Sequence, residues 1–228
     1  MATSAPFPIG GYVLAGGRSS RMGTDKALLQ LAGQPLIVRA VAKVHRLCAD
    51  VHILGGNTAL AAYAPLIADI HPGCGPIGGM EAGLQHSSHE WNLFLAVDMP
   101  FLPGAFIRNW MVRWAEDRGH ARIRTFTADD RAQPGLCLLH KDVLPFLSEA
   151  ILGGDYKLMR ALESAAAELA LLRGCAPEEV LWSRGAEVAE SIQSLTAAQH
   201  AARPLWFANL NSPEDLAGAE LHGDALDA

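Results

Sequence analysis

An apolar run, Ile9-Gly10-Gly11-Tyr12-Val13-Leu14, halts at Ala15-Gly16-Gly17 and gives way to a polar loop holding Arg18, Ser19, Ser20, Arg21, Gly23 and Lys26. A strand that stops at paired glycines ends in backbone free to turn sharply and to approach a ligand closely, because no Cβ stands in the way. Successive N–H groups in such a turn cradle phosphate oxygens. Arginine adds a planar fork of donors and lysine a compact charge. The stretch therefore reads as a loop for a nucleoside triphosphate. It is not the P-loop pattern, because Gly23 is followed by Thr24. It is not the dinucleotide fingerprint either, since the glycines fall at 16, 17 and 23. What remains is the longer pattern L-A-G-G-x-S-x-R-M-G-x-D-K over residues 14–26.

The chain beyond the loop alternates strand and helix signals. Residues 9–14 form the first strand. After a short apolar piece over 28–31 and a turn at Ala32-Gly33-Gln34, Pro35 suits the first position of a helix. Ile37, Ala40, Val41, Val44 and Cys48 line that helix at helical spacing. A second strand over 51–54 ends at Gly55-Gly56-Asn57. A helical segment near 58–63 leads to a strand over 66–69. His71-Pro72-Gly73-Cys74-Gly75 is too rich in glycine and proline for regular structure, and a helix follows over 80–85. The most apolar strand, 92–97, ends at Asp98-Met99-Pro100. Pro103 opens a helix whose face of Phe106, Trp110 and Trp114 belongs to a core rather than to a base-stacking surface.

Strands are expected over 122–127 and 135–139, around the turn Asp129-Asp130-Arg131. Helices follow near 143–150 and 156–172, then a strand over 180–182 and a helix over 186–202. Leu205-Trp206-Phe207 reads as a last strand. Ser212 then caps a helix with Pro213 at its first position and Asp215 three residues on. The tail after Leu221 reads as frayed.

Alternation from residue 9 to about 110 implies a mostly parallel sheet covered by helices on both faces. Ligands of such sheets bind beyond the carboxyl ends of the strands. That rule gathers Leu14 to Gly17, Asn57, Asp69 and Asp98 on one rim. The chain's 228 residues suffice for one large domain spanning 1–228, with half of its residues hydrophobic. The formal net charge of −6 argues against a nucleic-acid binder. Cys48, Cys74, Cys137 and Cys175 form no C-x-x-C pair and read as packed, reduced thiols. With no basic leader among the first eleven residues and no run of about 20 apolar residues, the chain reads as a soluble cytoplasmic protein without membrane contact.

A triphosphate losing pyrophosphate needs a backbone cradle, fixed cations and a divalent metal to hold charge as it shifts. Gly16 and Gly17 fit the cradle, and Arg21 and Lys26 would lie along the phosphates. Asp98 is the best Mg²⁺ ligand, since that ion takes a carboxylate or two and fills its other positions with water and phosphate oxygens. Read as structure alone, Lys26 fits a solvated surface and Asp98 a turn. Asp69 either contacts the nucleoside or ends its strand. The nine histidines form no H-E-x-x-H pattern and read as surface or core residues rather than metal ligands, with His71 the one to inspect.

The loop at 14–26 resembles the start of the molybdenum cofactor guanylyltransferases, among the MobA-like NTP transferases. The resemblance extends to Gly75-Pro76-Ile77-Gly78-Gly79-Met80, to Asp98-Met99-Pro100-Phe101-Leu102 and to Asn209-Leu210-Asn211-Ser212-Pro213-Glu214-Asp215-Leu216. It implies a three-layer α/β/α Rossmann-like nucleotidyltransferase fold, mostly parallel with an antiparallel addition. It also implies an NTP-binding half over about 9–110 and an acceptor-binding half over about 111–217. Leu14, Ala15, Gly16 and Gly17 would frame GTP, with Arg21 and Lys26 on its phosphates. Asn57 and Asp69 would contact the guanosine, and Asp98 would hold Mg²⁺ or Mn²⁺. Asn209 and Asn211, with Gln133-Pro134 nearby, would face the pterin phosphate. The implied partners are GTP, molybdopterin or the molybdenum cofactor, and transiently molybdenum-insertion proteins or molybdoenzyme apoproteins. The segment over about 165–204 is longer than the family shows, so nothing is carried over from it. CTP with molybdopterin, an NTP with a sugar 1-phosphate, and a non-catalytic nucleotide-binding adaptor stay open; Ala15-Gly16-Gly17 favours GTP over the Ala-Ala-Gly of cytidylyl relatives.

Overall fold

The strands in chain order are β1 (Phe7–Leu14), β2 (Gln30–Leu31), β3 (Gln34–Pro35), β4 (Cys48–Leu54), β5 (Leu66–Ile67), β6 (Trp91–Ala96), β7 (Ile123–Ala128), β8 (Arg131–Ala132), β9 (Leu136–His140) and β10 (Leu181–Gly185). The helices are α1 (Leu36–His45), α2 (Pro76–His86), α3 (Gly104–Glu116), α4 (Leu144–Leu152), α5 (Leu158–Arg173), α6 (Pro177–Val180), α7 (Ala197–Ala201) and α8 (Pro213–Glu220). This computed structural model describes residues 5–16, 25–116, 121–128, 131–185 and 194–227.

Strand β1 lies at the centre. It pairs in parallel with β4 on one flank and β6 on the other, and the sheet runs β10-β7-β9-β6-β1-β4-β5, with β8 paired to β7. Strand β9 is antiparallel to both β6 and β7, the expected antiparallel addition to a mostly parallel sheet. The chain moves outward from β1 through β4 to β5, then returns to set β6 on the other side of β1. That reversal opens a crevice at the carboxyl ends of β1 and β6, where ligands of such sheets bind.

Successive strand residues face opposite sides, and the two cores follow this alternation. Val13, Leu93, Leu95, Leu136 and Leu138 pack with α1, α3 and Trp206. Tyr12, Leu14, Phe94, Cys137 and Leu139 pack with α2, α4 and α5. The result is the three-layer α/β/α arrangement. Close approach of α1 depends on a missing side chain: a Cβ on Gly11 would stand 2.5 Å from Val44 Cγ1 and 2.7 Å from Cys48 Cβ. Among the described residues no helix is long and apolar enough to cross a membrane, and Cys48, Cys74, Cys137 and Cys175 are all free thiols.

The structure corrects several local expectations. Pro35 pairs in the β2–β3 hairpin and flanks α1 rather than opening it. Cys48 begins β4, because α1 ends at His45. Helix α2 starts at Pro76, four residues before the expected Met80, with Gly75 before it at φ +73°. Glycine reaches that conformation without strain, and proline at the first helical position gives up no needed N–H. Leu205-Trp206-Phe207 is not a strand: Leu205 closes a 3-10 turn, Arg203–Leu205. Trp206 is fully buried instead, its indole N–H donating to the Gln199 carbonyl at 3.0 Å and its ring against Phe106. Nor is the tail frayed. Gly223–Ala225 is a 3-10 turn, and the Asp227 carboxylate accepts from the Gly104 N–H at 2.9 Å. Residues 186–193, part of the helix expected over 186–202, lie outside the described residues; α7 is its described remainder.

Gly11→Ala should destabilise the protein by about 1–3 kcal/mol, the usual cost of overpacking, and Val44→Ala in the same chain should recover part of it. Urea unfolding checks this; an unchanged midpoint for Gly11→Ala would contradict the close packing of α1 on β1.

Candidate active site

Three segments far apart in sequence meet at the carboxyl rim of β1 and β6. Lys26 opens a 3-10 turn, Lys26–Leu28, whose first free N–H, that of Ala27, is capped by Asp25 Oδ1 at 2.9 Å. Asp98 lies two residues past β6. Asn211 lies just before α8, where Ser212 and Asp215 form a capping box. The Lys26 ammonium donates to Asp98 Oδ2 at 2.6 Å and to Asn211 Oδ1 at 2.8 Å. Both side chains of the ion pair are about one-fifth exposed, at 19% each.

The backbone supports the same meeting. The Leu210 N–H donates to the Asp98 carbonyl at 3.2 Å, which brings exposed Asn209 and Asn211 beside the Asp98 loop. The Asn211 and Ser212 N–H groups donate to Asp215 Oδ2 at 2.7 and 2.8 Å. Those bonds, the Asn211 N–H foremost, hold the Asp215 carboxyl below its ordinary range.

Next to Lys26, Asp25 Oδ2 accepts from Asn57 Nδ2, and Asn57 Oδ1 caps the Ala59 N–H at 3.0 Å. Asn57 is therefore at the rim, tied to the loop that carries Lys26. Leu14 is buried, its carbonyl accepting from the Val97 N–H at 3.1 Å, while the Ala15 N–H donates to the Leu54 carbonyl at 2.9 Å. Gly16 then emerges exposed against Gly55, where a Cβ would stand 3.2 Å from the Gly16 nitrogen. The two glycine loops after β1 and β4 thus touch through backbone. Gly17 and Arg21 lie outside the described residues.

Asp69 flanks the first turn of α2, its carboxylate oxygens 3.8 and 3.7 Å from where Cβ atoms on Gly78 and Gly79 would stand. Burial pushes its carboxyl above the ordinary range. His71 Nδ1 is 2.8 Å from Oε2 of the buried Glu81, whose other oxygen accepts from the Ser148 hydroxyl at 2.7 Å. Gln133 lies at the β8–β9 turn, its N–H on the Phe126 carbonyl at 2.7 Å.

Asp25, Glu81 and Ser148 were not singled out from sequence. A signal existed only for Asp25, as an acid directly before Lys26. Among the described residues no three His, Cys, Asp or Glu side chains converge as a metal site. A Mg²⁺ ion held by one carboxylate and completed by water and phosphate oxygens needs no such cluster. The donor set fits one, because two hard oxygens, Asp98 Oδ2 and Asn211 Oδ1, already converge on a single cationic group.

Residues 11–169 match the model of the MobA-like NTP transferase domain, which covers well over half of the chain. The chain belongs to the MobA-like NTP transferase family. The molybdenum cofactor guanylyltransferase of Serratia proteamaculans (strain 568) is 35% identical over 165 residues, covering 70% of this chain and 81% of that protein. The molybdenum cofactor guanylyltransferase of Yersinia pestis (strain Pestoides F) is 36% identical over 166 residues, covering 70% and 83%. In fold the chain is similar to the molybdopterin-guanine dinucleotide biosynthesis protein A of Archaeoglobus fulgidus. The TM-score is 0.71 over 93% of this chain and 97% of that one, at 22% identity.

Burial of Asp69 makes a prediction about stability. A carboxyl raised in the folded state costs nothing below the ordinary carboxylate range, and its cost to stability grows as pH rises from that range through the raised folded value, above which it is complete. Asp69→Asn should therefore raise the thermal midpoint at pH 7, and the gain should shrink as pH falls toward the ordinary carboxylate range. Thermal melts of both proteins across that range measure it; a gain independent of pH would refute the desolvation argument.

Proposed function

We propose that this protein is a divalent-metal-dependent molybdenum cofactor guanylyltransferase, moving GMP from GTP to molybdopterin to give molybdopterin guanine dinucleotide and pyrophosphate. The observation that carries this reading is the meeting of Lys26, Asp98 and Asn211 at the crevice between β1 and β6. Family membership and relatives named for guanylyl transfer support it.

The acceptor is already an anionic phosphate, so no side-chain nucleophile or strong base is required. Its oxygen attacks the α-phosphorus of GTP; the bond from that phosphorus to the bridging oxygen of the β-phosphate breaks, and pyrophosphate leaves with the electron pair. Catalysis is then positioning plus charge stabilisation. Gly16 and Gly17 supply the backbone cradle, framed by Leu14 and Ala15, with Arg21 and Lys26 on the phosphates. Asn57 and Asp69 lie along the β4 and β5 side for the guanosine. Asn209 and Asn211 face the acceptor, so the NTP half over about 9–110 and the acceptor half over about 111–217 meet at Lys26. Asp98 would hold Mg²⁺, or Mn²⁺ in its place, which when bound supplies positive charge to the phosphate oxygens. Lys26, paired in this structure with Asp98, is placed to exchange that partner for phosphate.

Asp98→Ala and Lys26→Ala should each lower turnover by about 10²- to 10³-fold, the scale of losing one transition-state charge contact, with unchanged circular dichroism. The measurement is pyrophosphate release with each NTP, with and without molybdopterin. Release from CTP in preference to GTP, or without molybdopterin but with a sugar 1-phosphate, would replace the substrate assignment. Near-normal rates in either variant would sink the site assignment.

A further inference from the structure

Behind the Asp98 loop lies a second charged cluster that the transfer reaction does not use directly. Lys43, on α1, is 3% exposed. Its ammonium donates to the Pro100 carbonyl at 3.0 Å and to the Leu102 carbonyl. Both carbonyls belong to the loop that begins at Asp98, and the side chains of Met99, Phe101 and Leu102 are buried against the core. A buried ammonium needs an anion, or it sheds its charge. Here the anion comes from the far end of the chain: Asp227 Oδ2 lies 3.6 Å from the Lys43 nitrogen. The same carboxylate accepts from the N–H of Gly104, the first residue of α3, and from Gln199 Nε2, each at 2.9 Å.

Asp227 thus joins four pieces of chain. These are the tail, α7 through Gln199, the start of α3, and Lys43 with the loop it grips. Gln199 is itself fixed, because its Oε1 accepts from the Thr196 N–H at 3.0 Å and its carbonyl accepts from the Trp206 indole. The other charges facing Lys43 are Arg39 and Arg46, both repulsive, so Asp227 is its counterion.

We propose that Asp227, acting through the buried Lys43 ammonium, is a positioning residue that holds the 98–102 loop and so sets where Asp98 stands against Lys26. The proposal rests on the reading of Asp98 and Lys26 as the transfer site. Reacting groups misplaced by about 1 Å can cost two orders of magnitude in rate, and among the described residues the backbone at the ends of the loop has few other hydrogen bonds. The Leu102 N–H reaches the Met99 carbonyl at 3.4 Å, and the Asp98 carbonyl accepts from the Leu210 N–H at 3.2 Å. The burial of Met99, Phe101 and Leu102 anchors the loop by its side chains, and the Lys43 grip on the Pro100 and Leu102 carbonyls fixes its backbone.

Full-length Asp227→Asn, Lys43→Met and the double variant test this in two arms. In the first, hydrogen exchange of the Leu102 and Leu210 amides should quicken by about tenfold in all three variants, while the amides of β1 and β6 keep their protection, as expected of local opening. Unchanged protection in both single variants overturns the latch whatever the activity. Loosening in Lys43→Met alone overturns the part assigned to Asp227.

In the second arm, kcat for pyrophosphate release should fall about tenfold in each single variant, with KM for GTP within about twofold of the unaltered protein. Asp227→Asn leaves a buried, unpaired ammonium, so adding Lys43→Met should restore thermal stability but not kcat. Recovery of kcat together with stability would make the contact merely structural and overturn the proposal. No pyrophosphate release by the unaltered protein would refute the transfer reading instead, and the exchange arm would still decide the latch.

Discussion

A single ammonium, that of Lys26, joins the carboxyl rim of the sheet to the C-terminal segment. It donates to a carboxylate oxygen two residues past β6 and to an amide oxygen just before α8, and it opens the 3-10 turn Lys26–Leu28. Cation and acceptors are only partly withdrawn from water, so the pair adds little stability by itself. Its weight is geometric. It draws the N-terminal sheet and the C-terminal segment to one point, where, on the proposed function, a triphosphate would lie. Charges oriented beforehand need little rearrangement when negative charge shifts during reaction.

The sheet makes that point possible. With β1 between β4 and β6, the loops after three parallel strands open on the same rim, and backbone contact between Gly16 and Gly55 leaves no side chain between two of them. Asp69 is part of the cost of such a rim: a carboxylate partly desolvated beside the first turn of α2. The C-terminal segment answers from the other side. Its capping box fixes Asn211, and its last described residue, Asp227, reaches the buried Lys43 behind the same loop.

How much of this was legible follows from the range of each interaction. The main strands from β1 to β9 and the cap at Ser212 follow local patterns, and they appear close to where the sequence places them. Helix α2 began earlier than expected because a glycine-rich stretch was taken as irregular, although glycine at φ +73° followed by proline is a good helix start. Trp206 looked like a strand residue because aromatic residues favour strands. Its actual state was decided by a core of Phe106 and Phe126 and by an acceptor on Gln199. The tail reads as frayed because the partners of Asp227 among the described residues, Gly104, Gln199 and Lys43, all lie more than twenty residues away.

The residue types and their local spacing were enough, by themselves, to determine the glycine loop after the first strand, the acid after the most apolar strand, the asparagine pair before the last long helix, and the parallel α/β class. These depend on backbone freedom, periodicity and charge, which neighbouring residues specify. Only the tertiary structure decided that Lys26 pairs with Asp98 and Asn211, that Asp25 grips Asn57, and that Asp227 neutralises Lys43. Each of these joins groups whose separation in sequence says nothing of their distance in space. Burial then assigns the partners, because a charge removed from water must find its counterion wherever the fold has placed one.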